Sequence, residues 1–203
     1  MRRILVGLGA AALAIVVVLV WAQRVPVPAA QVAIGGKVAN MNLVTLSGKA
    51  AELYEHRGQH GTLVIFVSTQ CPVSNDYNER MAALARDYTT RGFAVIGINS
   101  NRNEPPDEVA RHAAEKALGF TILKDPENRV ADYLGASVTP EAYLFDRDWI
   151  LRYHGRIDDS RNPANITTRD LRAALDAVEA GKPAPVTETK AFGCTIKRVS
   201  RAS

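Results

Sequence analysis

Two cysteines in 203 residues are few enough to exclude one whole class of protein. Small exported domains stapled by disulfides are cysteine-dense, so folding here must rest on a hydrophobic core. Four histidines, at 56, 60, 112 and 154, share no metal-ligand spacing with one another or with a cysteine, and they read as solvated or structural. The formal charge of +4 forms no basic stripe interleaved with aromatics, which are only 6% of the chain, so no nucleic-acid partner is expected. There is no internal repeat. With 47% hydrophobic and 23% charged residues, the chain has an ordinary globular composition and room for one domain plus attachments.

One long apolar run is present, at the N-terminus. Met1-Arg2-Arg3 precedes an uncharged segment over residues 4–22, closed by Gln23-Arg24. A helix of that length just spans a hydrocarbon core, which needs about 20 residues. Residues 1–24 therefore read as a signal-anchor or a signal peptide, with the arginines inside and the rest exported. The domain would be membrane-anchored through residues 4–22 on the periplasmic side, or released into the periplasm after cleavage. Residues 25–31, with Pro26 and Pro28, form a short spacer. In an oxidising compartment two thiols can exist as a disulfide, so the pair is free for redox chemistry.

The body then alternates. Residues 41–51 have hairpin character around Ser47-Gly48, and residues 63–67 form a continuous apolar run typical of a strand buried on both faces. Tyr77, Met81, Leu84, Ala85 and Tyr88 lie on one helical face, and residues 93–98 give a second buried strand. A further helix presents Val109, Ala110, Ala113, Ala114 and Ala117 inward. A short extended piece follows at residues 120–123, then a short helix over residues 130–134 stopped by Gly135. Residues 142–145 and 149–153 flank the turn Asp146-Arg147-Asp148 as an antiparallel hairpin. A last helix starts near Thr167 or Thr168 and ends at Gly181. The pattern is α/β with a mixed central sheet flanked by helices, preceded by one N-terminal hydrophobic helix. The tail, residues 182–203, shows no periodicity.

The chemistry concentrates at Phe66-Val67-Ser68-Thr69-Gln70-Cys71-Pro72-Val73-Ser74. Here a buried strand runs into a polar turn, and Cys71 opens a helix with Pro72 at its first position. Unpaired N–H groups and the positive end of the helix dipole favour thiolate, the nucleophilic form. Asp76 and Glu79 would oppose it if they point inward, and Arg80 would offset them. Downstream, Thr139-Pro140 enters a strand that must pair, which points to a tight turn, with a cis bond as one form, bringing backbone close to Cys71. Arg156-Ile157-Asp158-Asp159 reads mainly as a charged exposed turn, with a ligand-facing turn as the alternative.

These residues resemble the thioredoxin-like superfamily, and within it the exported redoxins of the alkyl hydroperoxide reductase and thiol-specific antioxidant (AhpC/TSA) type. The resemblance covers roughly residues 32–181. It rests on the strand before Cys71, the Cys71-Pro72-Val73-Ser74 turn, Thr139-Pro140, and the hairpin over residues 143–153. It implies a thioredoxin-like fold, Cys71 as nucleophile towards disulfides or peroxides, and a cis-proline loop facing it. Two departures follow. Ser74 stands where the thioredoxin motif has its second cysteine, so no local disulfide can close. Ser68 fits the hydroxyl position of the peroxiredoxin motif, but Val64 occupies its proline position.

Cys194, in Phe192-Gly193-Cys194-Thr195-Ile196-Lys197-Arg198, is the candidate resolving thiol, on a tail able to fold back over the domain, and Lys197 and Arg198 would favour its thiolate; a static disulfide pinning the tail, or two unrelated thiols, are the alternatives. The expectation is an exported thiol-disulfide oxidoreductase with Cys71 and Cys194 catalytic and Ser68, Pro72, Ser74, Thr139 and Pro140 forming the active-site loops. Its partners would be a thiol or disulfide protein, or a small peroxide, and an external thiol electron donor. No cofactor and no metal is implied. Two alternatives stand beside it: a peroxiredoxin-like thiol peroxidase, and a non-catalytic copper-handling or assembly module on the same fold, since thiolates suit Cu(I).

Overall fold

The computed structural model describes residues 32–200, so the apolar run at residues 4–22 and the signal or anchor assigned to it lie outside the described residues. Among the described residues, no helix is long and apolar enough to cross a membrane.

The framework is one seven-stranded mixed sheet. Its strands are β1 (Asn42–Thr45), β2 (Ala50–Glu52), β3 (Gly61–Phe66), β4 (Phe93–Asn99), β5 (Thr121–Lys124), β7 (Glu141–Asp146) and β8 (Leu151–Gly155). Their spatial order is β2-β1-β5-β4-β3-β7-β8. The centre is β3, buried at all six positions, which pairs in parallel with β4 and antiparallel with β7. Burial on both faces explains its unbroken apolar run.

Alternation sends Leu63 and Ile65 to one face and Val64 and Phe66 to the other, into two separate cores. The first core is closed by α2 (Asn78–Thr89), through Met81, Leu84 and Tyr88, and by α5 (Asp170–Glu179), through Leu171 and Leu175. The second holds Ile96, Ile98, Tyr143 and Phe145 with Val130, Ala131 and Leu134 of α4 (Arg129–Leu134). Each such fully buried side chain contributes roughly 1.5–3 kcal/mol of transfer free energy.

One sequence expectation changes. In α3 (Pro106–Glu115) only Val109 is fully buried and Ala113 partly so, while Ala110, Ala114 and Ala117 face solvent. A methyl group is small enough to sit on either side of a helix, so an alanine-rich stretch fixes its inner face poorly. Ala117 already lies past the helix end, at φ 47°.

The tail, irregular in pattern, folds back over the domain and is firmly docked. Two residues, β9 (Cys194–Thr195), pair antiparallel with β6 (Val138–Thr139) and set Cys194 opposite Thr139. Beyond them Ile196 is buried in the second core at 3% exposure. Lys197 N–H donates to Asn101 Oδ1 at 2.8 Å, Val199 N–H donates to Asn128 Oδ1 at 2.7 Å, and Arg198 binds Asp132 and the Ala136 carbonyl. Upstream, the Thr189 hydroxyl bonds the Tyr153 hydroxyl at 2.7 Å and accepts from Arg156 N–H at 3.0 Å. These partners lie 30 to 100 residues away in sequence, beyond the reach of any local pattern.

Candidate active site

Cys71 ends the polar turn after β3 and caps α1 (Pro72–Asp76), whose first residue is proline because that position needs no N–H donor. The thiol is buried, at 2% exposure, and three contacts define it. Its sulfur accepts from Ser74 N–H at 3.3 Å, lies 3.2 Å from the Thr139 carbonyl oxygen, and has the Cys194 side chain as its electrostatic neighbour. The Thr139-Pro140 peptide bond is cis, and this loop faces Cys71 as the turn chemistry suggested. Both cysteines are free thiols, Cys71 buried and Cys194 partly exposed.

The two sulfurs sit over the same helical turn but in unequal electrostatic settings. Burial pushes the Cys71 thiol up. Hydrogen bonds from the Cys194 side chain, the Ser74 N–H and the Thr139 side chain outweigh it and hold Cys71 below the ordinary thiol value. Cys194 moves the other way, raised first by burial and then by the neighbouring Cys71. This corrects the expectation that Lys197 and Arg198 favour a Cys194 thiolate. Lys197 does lower it slightly, but Arg198 is committed to Asp132 and the Ala136 carbonyl. Cys71 is therefore the stronger thiolate and the better leaving group of the pair.

The turn that presents Cys71 is held from below by a buried polar cluster that the sequence pattern did not signal. Glu104, 2% exposed, accepts from the Ser68 hydroxyl, from Thr69 N–H at 2.9 Å, from Gln70 N–H at 3.3 Å and from Asn99 Nδ2 at 2.5 Å. Lys124, also buried, donates to Asn99 Oδ1, to the Asn101 carbonyl at 3.1 Å and to the Glu104 carbonyl at 2.7 Å. Burial lowers its pKa, against the field of Glu104. The one available hint was a charged residue, Glu104, in a polar loop after a strand that ends beside Cys71.

Ser68 has a different role from the one its spacing suggested. Its hydroxyl donates to Glu104 and accepts the Cys71 N–H at 3.0 Å, so it fixes the backbone of the turn and does not address the sulfur. Ser74 lies fully buried, its hydroxyl accepting Ser68 N–H at 3.2 Å. Where a thioredoxin motif would place its second sulfur, this chain has a structural hydroxyl. Pro72 is exposed at the head of α1.

Of the neighbouring charges, Asp76 and Arg80 are paired and Glu79 is exposed. Asp76 binds Arg161, and Arg80 stacks 3.5 Å from the Tyr77 ring centroid and grips Asp158 at 2.7 and 2.8 Å. Arg80 therefore does not offset Asp76 or Glu79. Asp158 also accepts from the Tyr77 hydroxyl at 2.8 Å, and Ile157 and Asp158 are 5% and 3% exposed. The segment read as an exposed charged turn is an anchor for the loop over α1. His112 bonds Asn75, and His154 stacks on Tyr143, both structural positions. Among the described residues, no group of three or more His, Cys, Asp or Glu side chains could hold a metal ion.

A thiol at a helix start after a buried central strand, facing a cis-proline loop, is the arrangement in which the family comparison becomes decisive. Residues 34–154 match the model of the AhpC/TSA family. The chain belongs to that family. Among solved structures, a hypothetical protein from Sinorhizobium meliloti 1021 is 35% identical with a TM-score of 0.76, over 85% of this chain and 98% of that one. An uncharacterized conserved protein from Geobacillus kaustophilus is 30% identical with a TM-score of 0.78, over 85% and 95%. A Chlorobium tepidum protein described as a thiol:disulfide interchange protein DsbE is 19% identical with a TM-score of 0.61, over 73% and 99%, which speaks to the thioredoxin-like fold alone. No curated protein matches the chain. AhpC/TSA membership carries a thiol oxidoreductase activity in general terms, with thiol, disulfide or peroxide substrates.

Proposed function

We propose that this protein is a thiol-disulfide oxidoreductase that cycles between the Cys71/Cys194 dithiol and their intramolecular disulfide. The observation that carries this reading is the placement of Cys194 beside Cys71: β9 sets it opposite Thr139, whose carbonyl oxygen lies 3.2 Å from the Cys71 sulfur. When the two-residue β9 lifts, the Cys71 thiolate attacks one sulfur of a substrate disulfide. A mixed disulfide forms on Cys71 and the second substrate sulfur leaves as thiolate. Cys194 then returns, loses its proton to the departing thiolate or to water, and attacks the Cys71 sulfur. That step releases the reduced substrate and closes the 71–194 bond. Two electrons pass to the substrate, and an external thiol later restores the dithiol.

Disulfide exchange is favoured over peroxide reduction because the Ser68 hydroxyl is engaged by Glu104 and the Cys71 N–H and does not address the sulfur. Val64 in place of the peroxiredoxin proline supports the same ordering. We further read residues 1–24 as an export signal or anchor that holds the domain on the periplasmic side.

Thiol trapping of wild type, Cys71→Ser and Cys194→Ser, followed by peptide mapping, tests the cycle. Mild oxidation is expected to give a 71–194 peptide in wild type. Turnover of a small disulfide with dithiothreitol is expected to be lost in Cys71→Ser. Fast Cys71-dependent consumption of hydrogen peroxide, outpacing disulfide turnover, would reverse the ordering of the two activities. Stoichiometric Cu(I) binding abolished by Cys71→Ser, without turnover, would favour the copper-handling alternative.

A further inference from the structure

The disulfide cycle leaves one step without a site, namely where the reducing thiol attacks. A thiol at the start of a helix next to a cis-proline loop would ordinarily be taken as the sulfur that meets both substrate and reductant. In this chain the two sulfurs are unequally reachable. Cys71 is 2% exposed, closed in by α1, the Thr139 carbonyl and the tail, whereas Cys194 is partly exposed.

Oxidation makes this difference permanent. In the dithiol state β9 can lift and uncover Cys71. Once the 71–194 bond has formed, the tail is tied covalently over Cys71, and Ile196, Lys197 and Val199 hold the chain just beyond it. Exchange at sulfur is collinear, so a nucleophile reaches a disulfide sulfur from the side opposite its bonded partner. Cys71 Sγ offers little surface for such an approach, being 2% exposed with Ser74 N–H at 3.3 Å and the Thr139 carbonyl at 3.2 Å. Cys194 is the more exposed of the two.

We propose that the thiol which resets the oxidised protein attacks Cys194, so that the transient mixed disulfide is carried by the tail and Cys71 is the leaving group. This rests on the disulfide cycle proposed above and names its second half. A thiolate R–S⁻ forms a bond to Cys194 Sγ, the Cys71–Cys194 bond breaks, and its electron pair leaves with Cys71. A second thiolate attacks the R sulfur, giving R–S–S–R and a Cys194 thiolate that takes a proton from water. The co-reactant is a monothiol acting twice or a dithiol acting once. The turn agrees, because Ser74 N–H, 3.3 Å from the Cys71 sulfur, is placed to stabilise the departing thiolate. The cycle thus uses two faces, Cys71 with the tail lifted for the substrate and Cys194 with the tail docked for the reductant.

The test uses the oxidised full-length protein. Non-reduced mapping first establishes the 71–194 peptide. Less than one equivalent of glutathione is then added, and the reaction is stopped early with excess N-ethylmaleimide. Trypsin separates the two sites, since Cys194 falls in the peptide 191–197 and Cys71 in the peptide 58–80. Glutathione on Cys194 with maleimide on Cys71 is expected to exceed the reverse labelling by about tenfold or more, a difference of about 1.4 kcal/mol in barrier. Equal labelling, glutathione mainly on Cys71, or no glutathione on either peptide overturns this proposal while leaving the disulfide cycle standing. Absence of the 71–194 peptide at the first step overturns both.

Discussion

Replacing Glu104 with alanine tests whether the buried cluster beneath the active-site turn holds that turn in place. The carboxylate takes four hydrogen bonds: from the Ser68 hydroxyl, Thr69 N–H, Gln70 N–H and Asn99 Nδ2. Gln70 is exposed and Thr69 half-exposed, so water can replace the acceptor for their N–H groups. Ser68 and Asn99 are buried at 5% and 0% exposure and would lose a partner that cannot be replaced. Each buried donor left unsatisfied costs about 1–3 kcal/mol. Lys124, buried nearby and held against desolvation partly by the field of Glu104, loses that support. The loss should be about 3–4 kcal/mol, within the range for breaking a buried charged network. With a urea slope of about 2 kcal/mol/M, the unfolding midpoint should fall by about 1.5–2 M. Glu108→Ala is the control. Glu108 bonds Thr69 Oγ1 at 2.6 Å and the Gln70 side chain from a half-exposed position, so it should cost no more than about 1 kcal/mol. If Glu104→Ala costs less than its control, the cluster does not hold the turn and the reasoning fails.

Other outcomes follow from the same geometry. Cys194→Ala removes a hydrogen bond that lowers the Cys71 pKa and leaves its burial, so the pH midpoint of Cys71 alkylation should move upward, towards or past the ordinary thiol value of about 8.5; an unchanged midpoint would refute the coupling. In Gly193→Ala a new Cβ would stand 2.0 Å from the Thr139 carbonyl oxygen, so β9 cannot dock as it does. Formation of the 71–194 disulfide, followed by thiol loss under mild oxidation, should slow by about tenfold or more. Ile196→Ala empties a site that is 3% exposed, at a cost of about 2–5 kcal/mol limited by undocking of the tail. Iodoacetamide should then reach Cys71 in the reduced protein several-fold faster, and an unaltered rate would show that the tail does not cover it. Asp158→Ala leaves the Arg80 guanidinium and the Tyr77 hydroxyl without their carboxylate, and should cost about 3–5 kcal/mol in urea unfolding.

The fold was largely legible in the sequence because its signals are local. Residues 63–66 of the first apolar run lie in β3 and residues 93–98 in β4, because a strand buried on both faces has nowhere to place a polar side chain. The face Tyr77, Met81, Leu84, Ala85 and Tyr88 is fully buried, and Gly135 ends α4 at φ 78°. The alanines of α3 misled because a methyl group is tolerated on both sides of a helix. The turn over residues 156–159 misled because charged residues usually face water, and only the partners Tyr77 and Arg80, some 80 residues away, explain why Asp158 does not.

By itself the sequence determined that Cys71 opens a helix after a central strand, that Thr139-Pro140 forms a turn, and that Ser74 cannot close a local disulfide. Those follow from neighbours along the chain. Tertiary structure alone decided which groups meet across it. The sequence separation of 123 from Cys71 to Cys194 is closed by a two-residue strand pair whose register no local pattern encodes. The same contacts give Ser68 to Glu104 instead of to the sulfur, and leave Cys71 as the buried, lower-pKa thiol beneath a more exposed partner. Thiol reactivity depends on burial and on hydrogen-bond donors within a few ångströms, and both are properties of packing.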